Sequence, residues 1–228
     1  MIGRSIWTKN AVKGISVRGE RRRREGKIEW RNWDPNRSKI AASILKTKNN
    51  PRIFLPKPGA TCLYLGSSVG STVSHIHDIV CGSNNHHNGQ IVAVDISPRM
   101  IRDMSALSEL RDGIFPVLAD ARILEQIVPF LRNNAEWIHQ DLSIADQAHT
   151  FVKIISNLLS SEGIGILSLK AASERSSDGD DNSRFQKAQK IIQDSGIIIL
   201  EKIDISSFED QHKVFICRKK LNHDNNED

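Results

Sequence analysis

Short apolar runs alternate along this chain with longer segments in which apolar residues recur every three to four positions. The short runs predict β-strands and the periodic segments predict helices. From residue 61 onward, strands are predicted at 61–65, 91–95, 114–118, 136–140, 164–169, 197–203 and 213–218, and helices at 72–80, 98–109, 122–131, 145–159 and 183–195. Such an alternation indicates an α/β fold with a mostly parallel sheet.

The last two predicted strands have an unusually short connection, residues 204–211. Parallel neighbours need a crossover of a dozen or more residues, so we expect these two strands to pair antiparallel. The predicted fold is therefore a Rossmann-like, seven-stranded, mostly parallel sheet whose last strand is antiparallel.

The chain divides into three predicted parts. Residues 1–34 form a small β-rich appendage, with short strands predicted at 15–17 and 28–30. Residues 35–220 form the main domain, whose first helix is expected to be capped by Asp34 or Asn36. Residues 221–228 are polar and acidic, and we expect a disordered tail there.

Composition excludes several classes of protein. The chain has no run of eighteen apolar residues and no apolar leader, so we expect neither a membrane span nor secretion, and a cytoplasmic location follows. Three widely spaced cysteines show no zinc spacing. The neighbouring His86 and His87 lack an evident third ligand, so no metal site is predicted.

Net charge is +5, and a run of arginines at 21–24 concentrates positive charge near the N-terminus. Such a run is either a solvated surface or a face that binds a polyanion such as RNA. The sequence alone leaves both interpretations open.

A glycine-containing loop follows the first strand of the main domain. Gly66 and Gly70 would let the backbone approach a ligand closely, and Asp95 ends the next strand, where a carboxylate can accept hydrogen bonds from ribose hydroxyls. This arrangement predicts a site for a nucleoside-containing cofactor. The competing interpretation is a tight turn without a ligand.

The spacing of the loop narrows the choice of cofactor. It lacks the third glycine of a dinucleotide site, which disfavours an NAD-dependent dehydrogenase. It also lacks the Gly-Lys-Ser/Thr ending of a P-loop, which disfavours a nucleoside triphosphate site. S-adenosylmethionine, which has no pyrophosphate to bind, fits a shorter glycine loop.

Polar residues stand at the carboxyl ends of several predicted strands, where ligands bind in such sheets. Asp95, Asp120, Asp141 and Lys170 each follow an apolar run. A lysine in this position needs a charged or hydrated partner, and Asp141 on the neighbouring strand is a candidate for an ion pair with Lys170.

Several segments resemble one known family, fibrillarin. They are residues 32–45, 64–79, 93–99, 118–122 and 210–215, and residues 8–14 and 17–20 resemble the end of the family's N-terminal β domain. The resemblance spans nearly the whole chain. The chain is similar to the archaeal form of the family, because no long Gly/Arg-rich extension is present. The N-terminal β region is short compared with the family pattern, which suggests a truncated start.

This resemblance implies a Rossmann-like class I methyltransferase that uses S-adenosylmethionine to methylate ribose 2′-hydroxyls in rRNA, and in tRNA as a further substrate. The implied setting is a box C/D guide-RNA particle with a Nop-type scaffold protein and a kink-turn-binding ribosomal-type protein. The implied catalytic residues are Lys39, Asp141, Lys170 and His212.

The resemblance also implies cofactor contacts. They are expected from Gly66, Ser71, Thr72, Asp95, Ile96, Asp120, Ala121, Asp141, Leu142, Ser143 and Ile144. The chain departs from the family pattern in three places: Ser71 replaces the first of two threonines, Asp95 replaces a glutamate, and Asp141-Leu-Ser-Ile144 replaces Asp-Val-Ala-Gln, which removes the glutamine amide.

Two other functions remain open at this stage. A stand-alone RNA methyltransferase would act on naked RNA without a guide. A non-catalytic RNA-binding assembly subunit would fail to bind S-adenosylmethionine, and the altered Ser143-Ile144 segment motivates this alternative.

Overall fold

A computed structural model of the chain describes residues 5–174 and 179–220. The predicted tail at 221–228 lies outside the described residues, as does part of a polar loop, residues 175–178. No helix in the described ranges is long and apolar enough to cross a membrane.

The main domain is built on a seven-stranded sheet. Its strands are β4 (Thr61–Leu65), β5 (Gln90–Asp95), β6 (Ile114–Leu118), β7 (Ala135–Gln140), β8 (Leu159–Lys170), β9 (Ile198–Asp204) and β10 (His212–Arg218). Their spatial order is β6-β5-β4-β7-β8-β10-β9. Strand β10 pairs antiparallel with both β8 and β9, while the other pairings are parallel. The predicted fold class and the single reversed last strand are confirmed.

Five helices accompany this sheet in the described part of the chain. They are α1 (Lys39–Lys46), α2 (Ser71–Val80), α3 (Pro98–Leu110), α4 (Gln147–Leu158) and α5 (Asp181–Asp194). Alternate strand residues point to opposite faces, so each face has its own apolar core. Leu63 and Val92 pack with α4 and α5 on one face, whereas Cys62 and Ile91 pack with α1, α2 and α3 on the other.

The helix predicted at 122–131 is wrong. Two short 3₁₀ turns, Leu124–Gln126 and Val128–Phe130, occupy this segment instead. Pro129 explains the difference, because proline has no backbone N–H to donate and disfavours the helical conformation of the residue before it.

The N-terminal appendage contains a second sheet of three antiparallel strands. They are β1 (Ile6–Lys9), β2 (Arg22–Glu25) and β3 (Ile28–Trp33), in the order β1-β3-β2. The strand predicted at 15–17 is wrong: the Val17 N–H donates to the Glu20 carboxylate at 2.9 Å rather than to a neighbouring strand. The domain boundaries at residues 34 and 220 stay predictions.

The predicted cap of the first helix is also corrected. Ser38 is the N-cap of α1, and its hydroxyl accepts a hydrogen bond from the Ala41 N–H. Asp34 instead closes a turn by accepting from the Asn36 N–H at 2.9 Å. A serine cap directly before Lys39 starts the helix at that lysine.

A buried ionic cluster joins the small sheet to the main domain. Asp78 of α2 accepts from the guanidinium of Arg31, on β3, at 2.8 Å and from that of Arg111 at 2.8 Å. It also accepts from the Thr8 hydroxyl at 2.7 Å. All four side chains are buried. Burial alone would raise the pKa of Asp78, but the two guanidinium groups outweigh it and hold that pKa below its usual range.

We predict that Asp78→Ala strongly destabilises the protein. It would remove the acidic partner of the buried Arg111 and leave the buried Arg31 with Glu20 alone, which costs about 3–5 kcal/mol. The exposed Asp103, which pairs with Arg18 at 3.2 Å, is the matched control, and Asp103→Ala should cost less than about 1 kcal/mol. Urea denaturation measures both free energies of unfolding, and equal losses would contradict the prediction.

The ion pairs of Asp78 make the stability of the protein depend on pH. The native pKa of Asp78 is lowered, so its stabilising contribution is complete above the ordinary aspartate pKa and is lost as the pH falls below it. The difference in stability between wild type and Asp78→Ala should therefore shrink in acid.

Candidate functional site

A cleft of about 290 Å³ opens at the carboxyl ends of β4, β5, β6 and β7. It is lined by Gly66, Ser68, Val94, Asp95, Ile96, Ala119, Asp120, Ala121, Arg122, Asp141, Leu142, Ser143 and Ile144. Nine of the eleven residues predicted to contact a cofactor lie in this cleft, and the exceptions are Ser71 and Thr72.

Asp95 organises the glycine loop on one side of the cleft. Its carboxylate accepts hydrogen bonds from the backbone N–H groups of Ser68 at 2.9 Å and Ser97 at 3.0 Å. The loop is also tied to β5, because the N–H groups of Gly66 and Ser67 both donate to the Val94 carbonyl. These bonds fix the carboxylate at the end of β5 and leave its remaining lone pairs available to a ligand.

Gly66 is required where the loop passes the end of β7. It has a φ of +81°, and a Cβ atom at this position would lie 2.1 Å from the Asp141 carbonyl oxygen. The Asp141 N–H in turn donates to the Leu65 carbonyl at 2.9 Å. The floor of the cleft is thus two backbone segments in direct contact.

Asp120 and Arg122 form the opposite wall. The Arg122 guanidinium binds both carboxylate oxygens of Asp120, with one N–O distance of 2.5 Å. This hydrogen bonding lowers the pKa of Asp120, so the group stays ionised as an acceptor. Beside it, Ile96 is two-thirds exposed and offers an apolar surface to a flat ligand.

Three residues at the end of the glycine loop, Gly70, Ser71 and Thr72, are not among those that line the cleft. Gly70 lies against α3, where a Cβ atom would come within 2.6 Å of Leu107. Ser71 lines a separate small cavity beside the N-terminal sheet. Thr72 is buried, and its hydroxyl donates to the Ser38 hydroxyl at 2.9 Å. The structure therefore does not bring Ser71 and Thr72 into the cleft.

A charged group lies next to the cleft on the sheet face covered by α1. The Lys39 ammonium donates to the Asp141 carboxylate at 3.0 Å, and both side chains are largely buried. Lys39 is therefore the partner of Asp141. The predicted ion pair between Asp141 and Lys170 does not form.

Lys170 and His212 lie opposite each other where β8 and β10 pair. The Lys170 side chain makes no ion pair with any residue in the described ranges. Residues two apart on a strand share a face, and Ile166 and Val214 of these strands both pack in the core beneath α1. The predicted group of Lys39, Asp141, Lys170 and His212 therefore meets at one edge of one sheet face.

The protonation of this group follows from its surroundings. Burial raises the pKa of Asp141, and the charge of Lys39 opposes that shift. Burial lowers the pKa of His212, so its imidazole is neutral at neutral pH. Its Nδ1 lies 2.6 Å from the Asp210 carbonyl, which only accepts, so Nδ1 carries the proton and Nε2 has the free lone pair.

Four residues that line the cleft were not predicted from the sequence: Ser68, Val94, Ala119 and Arg122. Arg122 could have been found, because an arginine two positions after a strand-end aspartate can bind back to that carboxylate. Val94 and Ala119 carry no polar side chain and gave no signal.

The paired histidines lie outside the cleft. The ring centroids of His86 and His87 are 3.8 Å apart and the ring planes are tilted by 41°, so the two imidazoles contact each other. Within the described ranges, no three His, Cys, Asp or Glu side chains form a group that could hold a metal ion.

We predict that Gly66→Ala destabilises the fold more than Gly19→Ala. Both glycines have positive φ values, +81° and +74°, but nothing lies within 4 Å of a Cβ atom at Gly19. Gly19→Ala should cost about 1–2 kcal/mol from backbone strain. Gly66→Ala should cost about 1–3 kcal/mol more, because its methyl group collides with Asp141. Equal losses in chemical denaturation would mean that the close approach is absent.

Comparison with known proteins places the chain among relatives along nearly its whole length. It is 34% identical over 216 residues to the fibrillarin-like rRNA/tRNA 2′-O-methyltransferase of Thermococcus sibiricus, covering 94% of this chain and 90% of the relative. The Aeropyrum pernix fibrillarin structure, which has natively bound S-adenosyl-L-methionine, superposes with a TM-score of 0.81 at 29% identity, covering 93% and 88% of the two chains. A fibrillarin/Nop5p complex matches with a TM-score of 0.78 at 25% identity and 92% coverage of each chain.

The family model described as Fibrillarin matches residues 2–221. This match covers both sheets, the cleft and the charged group beside it. The chain belongs to the fibrillarin family.

Proposed function

We propose that this chain is an S-adenosylmethionine-dependent 2′-O-methyltransferase that acts on ribose in rRNA, and also in tRNA, as the catalytic subunit of a box C/D guide-RNA particle. One observation carries the proposal: the cleft at the strand ends lies directly beside the partly buried ion pair of Lys39 and Asp141. A cofactor site and a group able to handle a hydroxyl proton are therefore adjacent.

The cleft fits S-adenosylmethionine by its donors and acceptors. The Asp95 carboxylate suits the ribose hydroxyls, and Ile96 offers an apolar face to the adenine. The ionised Asp120 can accept from the exocyclic amine, and the neighbouring Ala121 also lines the wall. Gly66 leaves room for the rest of the molecule. When bound, the cofactor supplies an electrophilic methyl group on a sulfonium.

The segment after Asp141 closes the cleft with Leu142, Ser143 and Ile144. Since Ile144 has no amide, this part of the wall holds a ligand by apolar contact. Ser71 lines a different cavity, and the Thr72 hydroxyl bonds to Ser38. We therefore expect these two residues to contact the cofactor only through their backbone, at the start of α2.

The charged group prepares the ribose hydroxyl. A 2′-hydroxyl is a weak nucleophile until its proton is polarised or removed. The neutral His212 offers a lone pair on Nε2, and Lys170 is a cation that can hold the hydroxyl oxygen or an adjacent phosphate. Asp141 keeps Lys39 in place as a second cation. Positioning of these groups supplies much of the acceleration.

The proposed partners follow from the family. The relative solved with Nop5p supports a Nop-type scaffold protein for this chain. We extend the proposal to box C/D guide RNA and a kink-turn-binding protein, and, because the named relatives are archaeal, to a cytoplasmic location. The exposed strand β2 carries three arginines of the 21–24 run, although Glu29 pairs with Arg22 and Glu25 with Arg23. RNA binding by the isolated protein should therefore be weak and salt-sensitive.

The decisive test is transfer of a labelled methyl group from S-adenosylmethionine to an RNA complementary to a box C/D guide. It is run with and without the scaffold and kink-turn proteins, and the product is mapped. A single 2′-O-methyl group that depends on the full particle supports the proposal. Transfer by the protein alone would indicate a stand-alone enzyme, and no transfer by an assembled particle would indicate a structural subunit.

We predict that Lys170→Ala lowers methyl transfer by at least about a hundredfold, because the ribose hydroxyl loses the cation proposed to hold its oxygen. Affinity for S-adenosylmethionine should stay near the wild-type value, since Lys170 does not line the cleft. Single-turnover kinetics and equilibrium dialysis measure the two effects. Lys190→Ala is the control, because Lys190 is exposed on α5, and unchanged turnover in Lys170→Ala would refute the role.

The pKa of His212 predicts a pH profile. Because burial lowers this pKa, the neutral imidazole persists below the ordinary histidine value, and the rate should fall only at more acidic pH. Single-turnover rates between about pH 5 and 8 test this, with His212→Gln expected to lack the same inflection. An inflection above the ordinary histidine pKa would contradict it.

A further inference from the structure

Thr72 is buried at the start of α2 and is not among the residues that line the cofactor cleft. It donates a 2.9 Å hydrogen bond to the hydroxyl of Ser38, a residue 34 positions earlier in the chain. Only 8% of Thr72 and 6% of Ser38 are exposed, so water competes little for this bond.

Ser38 is the residue that starts helix α1. Its hydroxyl accepts from the Ala41 N–H at 3.3 Å, and its carbonyl accepts from the Ala42 N–H at 2.9 Å. The next residue is Lys39, whose ammonium reaches the Asp141 carboxylate. The Thr72 hydroxyl thus holds the N-cap that determines where the Lys39 side chain begins.

From this chain of contacts we propose that Thr72 is a positioning residue for Lys39, acting through Ser38, and not a side-chain ligand of the cofactor. The inference rests on the proposed function, because it assigns Lys39 a part in methyl transfer. The hydrogen bond between Thr72 and Ser38 joins the first turn of α2 to the start of α1, which carries Lys39.

The Thr72 hydroxyl affects where the first turn of α1 lies more than whether that helix forms. Removing the Thr72 hydroxyl leaves the Ser38 cap in place, so α1 still forms, but its first turn loses the bond that fixes it against α2. Lys39 is at the first position of that turn, so a small shift there moves the ammonium relative to Asp141. Displacements of this kind reduce rate more than they reduce folding or binding.

The test compares Thr72→Val with wild type. Valine keeps the shape of threonine and removes the donor. We expect the single-turnover rate to fall about tenfold while the dissociation constant for S-adenosylmethionine changes by less than about twofold. Thr72→Ser, which keeps the hydroxyl, should restore the rate. Thr150→Val on α4 is the matched control, because Thr150 is similarly buried.

Two further measurements separate this role from a merely structural one. In a Ser38→Ala background, Thr72→Val should have no further effect on the rate, because the hydrogen bond between residues 38 and 72 is already absent. The rate of Lys39 acylation by acetic anhydride, followed by mass spectrometry, should rise about threefold in Thr72→Val, since Asp141 holds the ammonium less firmly.

The acylation measurement does not require methyl transfer. If wild type transfers no methyl group, the proposed function fails while the positioning claim is still tested by acylation. Equal acylation of Lys39 in wild type and Thr72→Val overturns the claim. A loss of S-adenosylmethionine affinity as large as the loss of rate also overturns it, because Thr72 would then be a cofactor ligand.

Discussion

The ion pair between Lys39 and Asp141 joins the start of helix α1 to the carboxyl end of strand β7. It connects residues 102 positions apart and is largely buried, so each charge depends on the other for compensation. The backbone of Asp141 lies against Gly66, and this contact forms the floor of the cleft. A single residue therefore belongs both to the cofactor cleft and to the group that handles the hydroxyl.

The rest of the molecule keeps this junction in place. The seven-stranded sheet brings the ends of β7 and β8 together, and the reversed strand β10 puts His212 opposite Lys170. The buried cluster around Asp78 fastens the small sheet to α2, and α2 in turn holds Ser38 through Thr72. The small sheet, helix α2 and strands β8 and β10, which are far apart in sequence, therefore all help to position Lys39, Lys170 and His212.

Much of the fold could be predicted because the strands of the main domain are short apolar runs with polar ends. The helix at 122–131 was wrong because its apolar spacing outweighed Pro129 in the prediction, and proline interrupts such a helix. The strand at 15–17 was wrong because the side chain of Glu20 satisfies that backbone locally, a contact that strand propensity does not include.

The site was predictable where its residues end strands, as with Asp95, Asp120 and Asp141. The partner of Asp141 was not, because Lys39 comes from a helix far away in sequence and Lys170 is nearer in the predicted sheet. The hydrogen bond from the Thr72 hydroxyl to Ser38 could not be predicted from the sequence either, since it depends on how α1 packs against α2.

A double-mutant cycle on Lys39 and Asp141 tests most directly whether this pair works as one unit. Single-turnover methyl transfer is measured for Lys39→Ala, Asp141→Ala and the double variant. Each single substitution should lower the rate by about a hundredfold, and the double variant should lose little more, because either change already breaks the pair. Losses that multiply to about ten-thousandfold would mean that the two residues act independently, which contradicts this account.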